Sequence, residues 1–331
     1  MNSEMKRELA FHPEIEMEII EAYSNTDKQV DQLKTLVKKK FDLLIITPNE
    51  AKPLTSAIDE IYKSGIPVIL VDRKTDSNNY TAFVGADNYE IGETAGRYIA
   101  SKFGGNGNIL EVQLEMTSSP AIERNKGFID AISATSNLKI VNSIEVRNGI
   151  EILDTELPKI LEKYPETNIV FAHTDFLASS AFNVAQKAGK TKNLFFVGID
   201  AIAVTKGIQD VKNGTLNATL LYPTGGAEAI QTAVKILNKQ PYNKDNKLLT
   251  NVINSENVDI MLSQIQKIKE QQEEIEREII KINDLNRTYS SQRNRLYFIS
   301  ALLTIVIILG VFLFFLLQEK QRSNKTLEER N

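Results

Sequence analysis

The chain has 331 residues, 42% of them hydrophobic and 25% charged, with a formal net charge of -4 and no cysteine. That length suits about two domains plus accessory segments, and the composition is that of a globular protein rather than a disordered or fibrous one. The charge balance lacks the basic excess that a nucleic-acid partner requires, and disulfides, thiol nucleophiles and cysteine metal sites are excluded together.

In chain order, short apolar runs alternate with amphipathic stretches from residue 12 to residue 256. Ile15–Ile20 reads as a strand, then come a helix over Asp27–Lys40, a strand at Leu43–Thr47, a helix over Leu54–Ser64 and a strand at Val68–Asp72. A helix over Asn88–Phe103 leads through GGNG (Gly104–Gly107), a turn rather than a phosphate loop, into a strand at Asn108–Val112. A helix over Ala121–Ala134 and strands at Ile169–Ala172 and Leu194–Ile199 complete the pattern. Alternation of this kind predicts parallel sheets with helices on both faces, here two doubly wound α/β lobes. His12, just before Pro13, reads as a solvated loop residue, and His173 as a structural or rim residue. Two histidines and no cysteine leave little material for a zinc centre or a Ser-His-Asp set, so no enzyme activity, no cofactor and no metal site are expected.

The pattern changes at Met261. Met261, Ile265, Ile268, Gln272, Ile275, Ile279, Ile282, Asn286, Tyr289, Arg293 and Leu296 follow an unbroken 4-3-4-3 spacing, with Glu and Lys frequent between them. That is a heptad seam with Gln272 and Asn286 as register-setting positions, and it predicts a dimeric coiled-coil stalk. The alternative is a lone amphipathic helix packed on the globular part. From Leu296 to Leu317 run 22 residues without a charge. At 1.5 Å per residue they reach about 33 Å, enough to cross a bilayer core, with Tyr297 at one interface. A buried core helix is the competing reading, but such helices seldom run so long without a polar stripe.

Seven spaced motifs carry a resemblance. They are DLLIITP (Asp42–Pro48), GIPVILVDR (Gly65–Arg73), GADNYEIGETAGRYIA (Gly85–Ala100), AIERNKGF (Ala121–Phe128), VFAHTD (Val170–Asp175), VGID (Val197–Asp200) and GTLNATLLYP (Gly214–Pro223). In this order they resemble the ribose-binding-protein family of bacterial periplasmic sugar receptors, over residues 1–256. The stalk and membrane segment further resemble hybrid two-component sensors, which carry such a receptor outside the cell and a histidine kinase inside. The resemblance implies a type I periplasmic binding protein fold and a small carbohydrate held between lobes at the carboxyl ends of strands. It also implies a homodimer joined through the stalk and membrane helix, an inner-membrane location and a periplasmic sensor domain. A membrane-tethered binding component of a sugar transporter is the rival reading.

Carried over by position, Asp72 and Arg73 after PVILV match the family's Asp-Arg pair, Arg124 its second-lobe arginine and Asp200 the aspartate that ends VGID. Thr47 and Thr174 stand where ribose binders have asparagine, and Tyr222 where they have glutamine; Asn148 lies near a position often aromatic. Carboxylates accepting from adjacent hydroxyls and guanidinium groups donating to oxygens would suit a polyol. Aspartates at strand ends also cap helices, which is the role expected of Asp87 and Asn88. The implied lobes are residues 1–86 plus 223–251 and residues 87–222, followed by a stalk over 257–295, a membrane helix over 296–317 and a cytoplasmic tail over 318–331. MNSEMKRELAFHP matches the middle and end of the family's first helix, so the family's first, central strand is expected to be missing, with a gap between the strands starting near Ile15 and Leu43, as in a truncated chain. Arg287, Arg293 and Arg295 before the membrane segment against Lys320, Arg322, Lys325 and Arg330 after it leave its orientation undecided by charge.

Overall fold

The computed structural model describes residues 1–134, 137–147, 149–201 and 206–328. They divide into two compact units, Met1–Lys267 and Ile268–Asn331. The first elements are α1 (Asn2–Leu9), α2 (Thr26–Leu36), β1 (Leu44–Ile46), α3 (Ala51–Lys63), β2 (Val68–Val71), β3 (Ala82–Ala86), α4 (Asn88–Lys102), β4 (Asn106–Leu114) and α5 (Ser119–Ser133). Then follow β5 (Asn137–Val146), α6 (Ile152–Lys163), β6 (Ile169–Ala172), α7 (Asp175–Lys187), β7 (Phe195–Asp200), α8 (Gly207–Lys212), β8 (Ala218–Leu221), α9 (Gly226–Leu237), β9 (Asp245–Leu248), β10 (Val252–Asn254) and α10 (Val258–Glu328).

The first lobe is a parallel sheet of order β1-β2-β3-β9. The alternation of side chains along β2 divides its core in two. Val68 and Leu70 pack with Leu33, Leu54, Ile58 and Ile61 of α2 and α3. Ile69 and Val71 face Met5 of α1 and Ala229, Ile230 and Ala233 of α9. Each such Leu or Ile, withdrawn from water, contributes about 1.5–3 kcal/mol. The second lobe is a sheet of order β10-β8-β7-β6-β4-β5, parallel except for β10. One face is covered by α4 and α5, through Ile91, Ile99, Phe128 and Ile132. The other is covered by α6, α7 and α8, with Val258 at the start of α10. These are the two doubly wound α/β lobes that the alternation of apolar runs and amphipathic stretches predicts.

Three expectations are corrected. Ile15–Ile20 is not a strand, and Ile19 and Ile20 are 38% and 40% exposed. A strand exists only through hydrogen bonds to a neighbour, and among the described residues none pairs with it; β1 is the edge of its sheet. The helix expected to reach Lys40 stops at Leu36, beyond which the N–H groups of Lys38 and Lys39 bond three residues back, to Thr35 and Leu36, in a tightening last turn. Met261 and Ile265, the first two seam positions, pack against the core of the second lobe rather than standing free of it. Sequence reading also passed over β5, whose polar run NLKIVNSIEV buries only Leu138 and Ile144, as suits a sheet edge.

Candidate ligand-binding site

The loops after β2, β6, β7 and β8 bring the candidate side chains together. Asp72 stands one residue beyond β2 with φ of +70°, its N–H donating to the Val84 carbonyl at 3.0 Å. Its carboxylate accepts from the Tyr222 hydroxyl, which the chain supplies just after β8. Arg124 lies on α5, is 3% exposed, and stacks its guanidinium over the Tyr222 ring at 4.7 Å. Its Nε donates to Asn88 Oδ1 at 2.9 Å and its Nη1 to the His173 carbonyl at 2.6 Å. One continuous set of contacts therefore joins Asp72 of the first lobe to Tyr222, Arg124 and Asn88 of the second. The backbone N–H of Lys74, bonded to Ser119 Oγ at 3.1 Å, is a second link between lobes.

Arg73 reaches the Asn49 carbonyl through Nη1 at 2.5 Å and lies 3.6 Å from Asp72 Oδ2 through Nε. That Nε is buried and makes no hydrogen bond among the described residues. Asp200, at the end of β7 with φ of +143°, is pushed up to about 7: burial raises it, Arg124 opposes, and Asp175 and Asp72 add repulsion. Asp175, at the start of α7, is pushed up to about 6 by burial. It accepts from Thr219 Oγ1 at 2.5 Å and from the Ala201 N–H at 2.8 Å. Burial, with Asp72 next, also raises the Tyr222 hydroxyl, so it stays protonated as a donor.

Thr47 and Thr174 are engaged elsewhere. The Thr47 hydroxyl faces Met1 Sδ at 3.6 Å and its carbonyl accepts from Gln29 Nε2 at 2.8 Å. Thr174 caps α7, its Oγ1 accepting from the Leu177 N–H at 3.1 Å. Asn148 lies outside the described residues. Asp87 caps α4, accepting from the Glu90 N–H at 3.1 Å, whereas Asn88, expected to cap, instead joins Arg124 to the Tyr222 hydroxyl. Sequence reading missed Asn88, Asp175 and Thr219 as members of this cluster; Asp175 stood in view at the end of VFAHTD, with nothing to distinguish it from a cap. His173 is fully buried and structural. An exposed groove along α3 lined by Lys52, Thr55, Asp59 and Lys63 shares no residue with the cluster.

Buried carboxylates, guanidinium donors and a phenol converging from two lobes at strand ends are the means of holding a small ligand rich in hydrogen-bonding groups. Residues 7–241 match the family described as periplasmic binding protein domain. The chain belongs to that family. Among its relatives, the ribose import binding protein of Escherichia coli (strain K12) is 28% identical over 221 residues, which is 66% of this chain and 73% of that protein. The D-apiose import binding protein of Paraburkholderia graminis is 26% identical over 235 residues, 69% of this chain and 73% of that protein. Among solved structures, the fructose binding periplasmic domain of a hybrid two component system superposes with a TM-score of 0.80 at 39% identity, over 84% of this chain and 93% of that one. A Caulobacter myo-inositol binding protein superposes with a TM-score of 0.72 at 24% identity, over 80% and 91% of the two chains, a likeness of fold alone. Beyond the periplasmic binding domain, α10 is long and apolar enough to cross a membrane.

Proposed function

We propose that residues 1–256 are the carbohydrate-sensing domain of an inner-membrane signalling protein, facing the periplasm. Asp72, Arg73, Arg124, Asp200 and Tyr222 contact the ligand, with Thr47 and Thr174 at the margin. The observation that carries this reading is the chain of contacts from Asp72 through Tyr222 to Arg124, which draws on both lobes. A sugar presents adjacent hydroxyls that both donate and accept, so one molecule meets the carboxylates and the guanidinium groups without adding charge. An anionic ligand would worsen a site in which burial already raises Asp175 and Asp200. D-fructose is the first candidate, because the 39%-identical neighbour is described as fructose binding. Ligand favours the closed arrangement of the lobes by bridging them, and the helix that leaves the second lobe carries that change into a dimer through its heptad seam.

Calorimetric titration of the full chain in detergent with D-fructose, D-ribose and other neutral monosaccharides tests this. Saturable binding of one sugar, lost in Asp72→Ala, is expected; no binding across the panel overturns it. The import-protein relatives favour a second reading, a tethered binding component that hands sugar to a permease. Sugar-dependent crosslinking along the stalk separates the two, since only a sensor needs the stalk to respond.

A further inference from the structure

We infer that His173 and Glu111 are positioning residues for Arg124: the His173 ring takes over a backbone hydrogen bond of the sheet and thereby frees the His173 carbonyl to hold the arginine in the site. This rests on the ligand-binding role proposed for Arg124. The ladder between β4 and β6 registers Val112 with Ala172 and continues one step further, His173 N–H donating to the Val112 carbonyl at 2.9 Å. In a parallel ladder the next bond runs from Leu114 N–H to the His173 carbonyl. That bond is not made. Leu114 N–H instead points to His173 Nδ1 at 3.4 Å, and the carbonyl accepts from Arg124 Nη1 at 2.6 Å.

An Nδ1 that accepts must lack a proton, so the neutral ring carries it on Nε2, which donates to Glu111 Oε1 at 3.0 Å. Glu111 is 1% exposed and His173 0% exposed. Burial holds the imidazole pKa down, keeping the ring neutral. The Glu111 carboxylate also accepts from Gln113 Nε2 at 2.8 Å and from Asn125 Nδ2 at 3.0 and 3.1 Å. Asn125 follows Arg124 on α5, so the same carboxylate ties the helix that carries the arginine to the strand whose end receives it. Of these groups only the His173 carbonyl bonds a member of the cluster around Asp72, through Arg124. They fix the tautomer, the tautomer frees the carbonyl, and the carbonyl fixes the guanidinium.

The test uses the full chain in detergent micelles with 15N-labelled histidine and arginine. The chain has two histidines, so His12→Gln assigns the His173 ring. The ring is expected as the Nε2–H tautomer. In His173→Leu the Arg124 Nη1–H signal should move toward that of a free guanidinium, and D-fructose affinity should fall about tenfold. His173→Gln, whose amide still donates to Glu111, should recover affinity to within about threefold of wild type. An Nδ1–H tautomer, or a His173→Leu protein with the Arg124 signal and affinity unchanged, overturns the inference. If His173→Leu fails to fold, the wild-type tautomer and the Arg124 signal in His173→Gln decide. If wild type binds no D-fructose, that choice of sugar has failed, and the arginine and histidine signals still decide the positioning.

Discussion

Asp72, Asp200 and Ala201 have φ of +70°, +143° and +42°, a region in which non-glycine residues are strained by on the order of 1–3 kcal/mol. Asp72→Gly should therefore unfold at the same temperature as wild type or a few degrees higher, while binding no sugar; a clear loss of stability would show that Asp72 matters to the fold. Asp200 carries a pH dependence whose sign is set by its raised pKa. The folded chain keeps a proton on Asp200 up to about pH 7, whereas the unfolded chain releases it near the ordinary aspartate value of 3.8. Stability from this group is thus fully present below about pH 4 and is lost as pH rises through about 7. Asp200→Asn should be more stable than wild type at pH 8, by on the order of 1–3 kcal/mol, and no more stable at pH 4. Urea unfolding at the two pH values measures this, and a variant less stable than wild type at pH 8 would refute it. For wild type, sugar affinity should weaken as pH falls below about 7, because a protonated Asp200 accepts from fewer hydroxyls. Much of this was legible in the sequence. Asp72, Arg73, Arg124, Asp200 and Tyr222 could be marked through the resemblance of their motifs to the ribose-binding-protein family, since an aspartate at a strand end is by itself as readily a cap. That Thr174 is a cap and Asn88 is not could not be read, because both depend on where a side chain turns in three dimensions.

Between elements, the site depends on how closely α4 and α5 approach. A Cβ on Gly92 would lie 2.0 Å from the Arg124 carbonyl, and one on Gly127 2.0 Å from the Tyr89 carbonyl. Only glycine permits that approach, and it is what sets Asn88 of α4 against Arg124 of α5. Gly127→Ala should destabilise the chain by about 1–3 kcal/mol and weaken sugar binding, since the helices must part to admit the methyl group. Thermal unfolding and titration of the same preparation check it, and a variant matching wild type in both would mean that the contact is slack. GETAGRY and AIERNKGF displayed these glycines, but nothing in either motif says that one answers the other. The same division separates the strands. Val68–Val71 and Ile169–Ala172 were readable because a buried parallel strand is apolar on both faces. Ile15–Ile20 has a similar apolar look and forms no strand, because pairing is a property of two segments and not of one.

For the whole molecule, the proposed parallel dimer would use the 4-3-4-3 spacing, on which Ile268 and Ile275 are exposed. Since the chain has no cysteine, single cysteines report without background. Cysteine at Ile268 or Ile275 should crosslink efficiently in membranes, while cysteine at Glu274, off the seam, should crosslink poorly. Equal yields at all three positions would rule out the parallel dimer.

The sequence by itself determined the class of fold, the apolar membrane-length segment and the 4-3-4-3 spacing before it. Each of these is written as a local pattern, a run or a spacing. Tertiary structure alone decided that Ile15–Ile20 stays unpaired, that Met261 and Ile265 pack against the core of the second lobe, and that Asn88 bonds an arginine 36 residues away. The physical reason is common to all three. A hydrogen bond or a packed contact requires a second group at a set distance, and for segments far apart in the chain only the assembled lobes fix that distance.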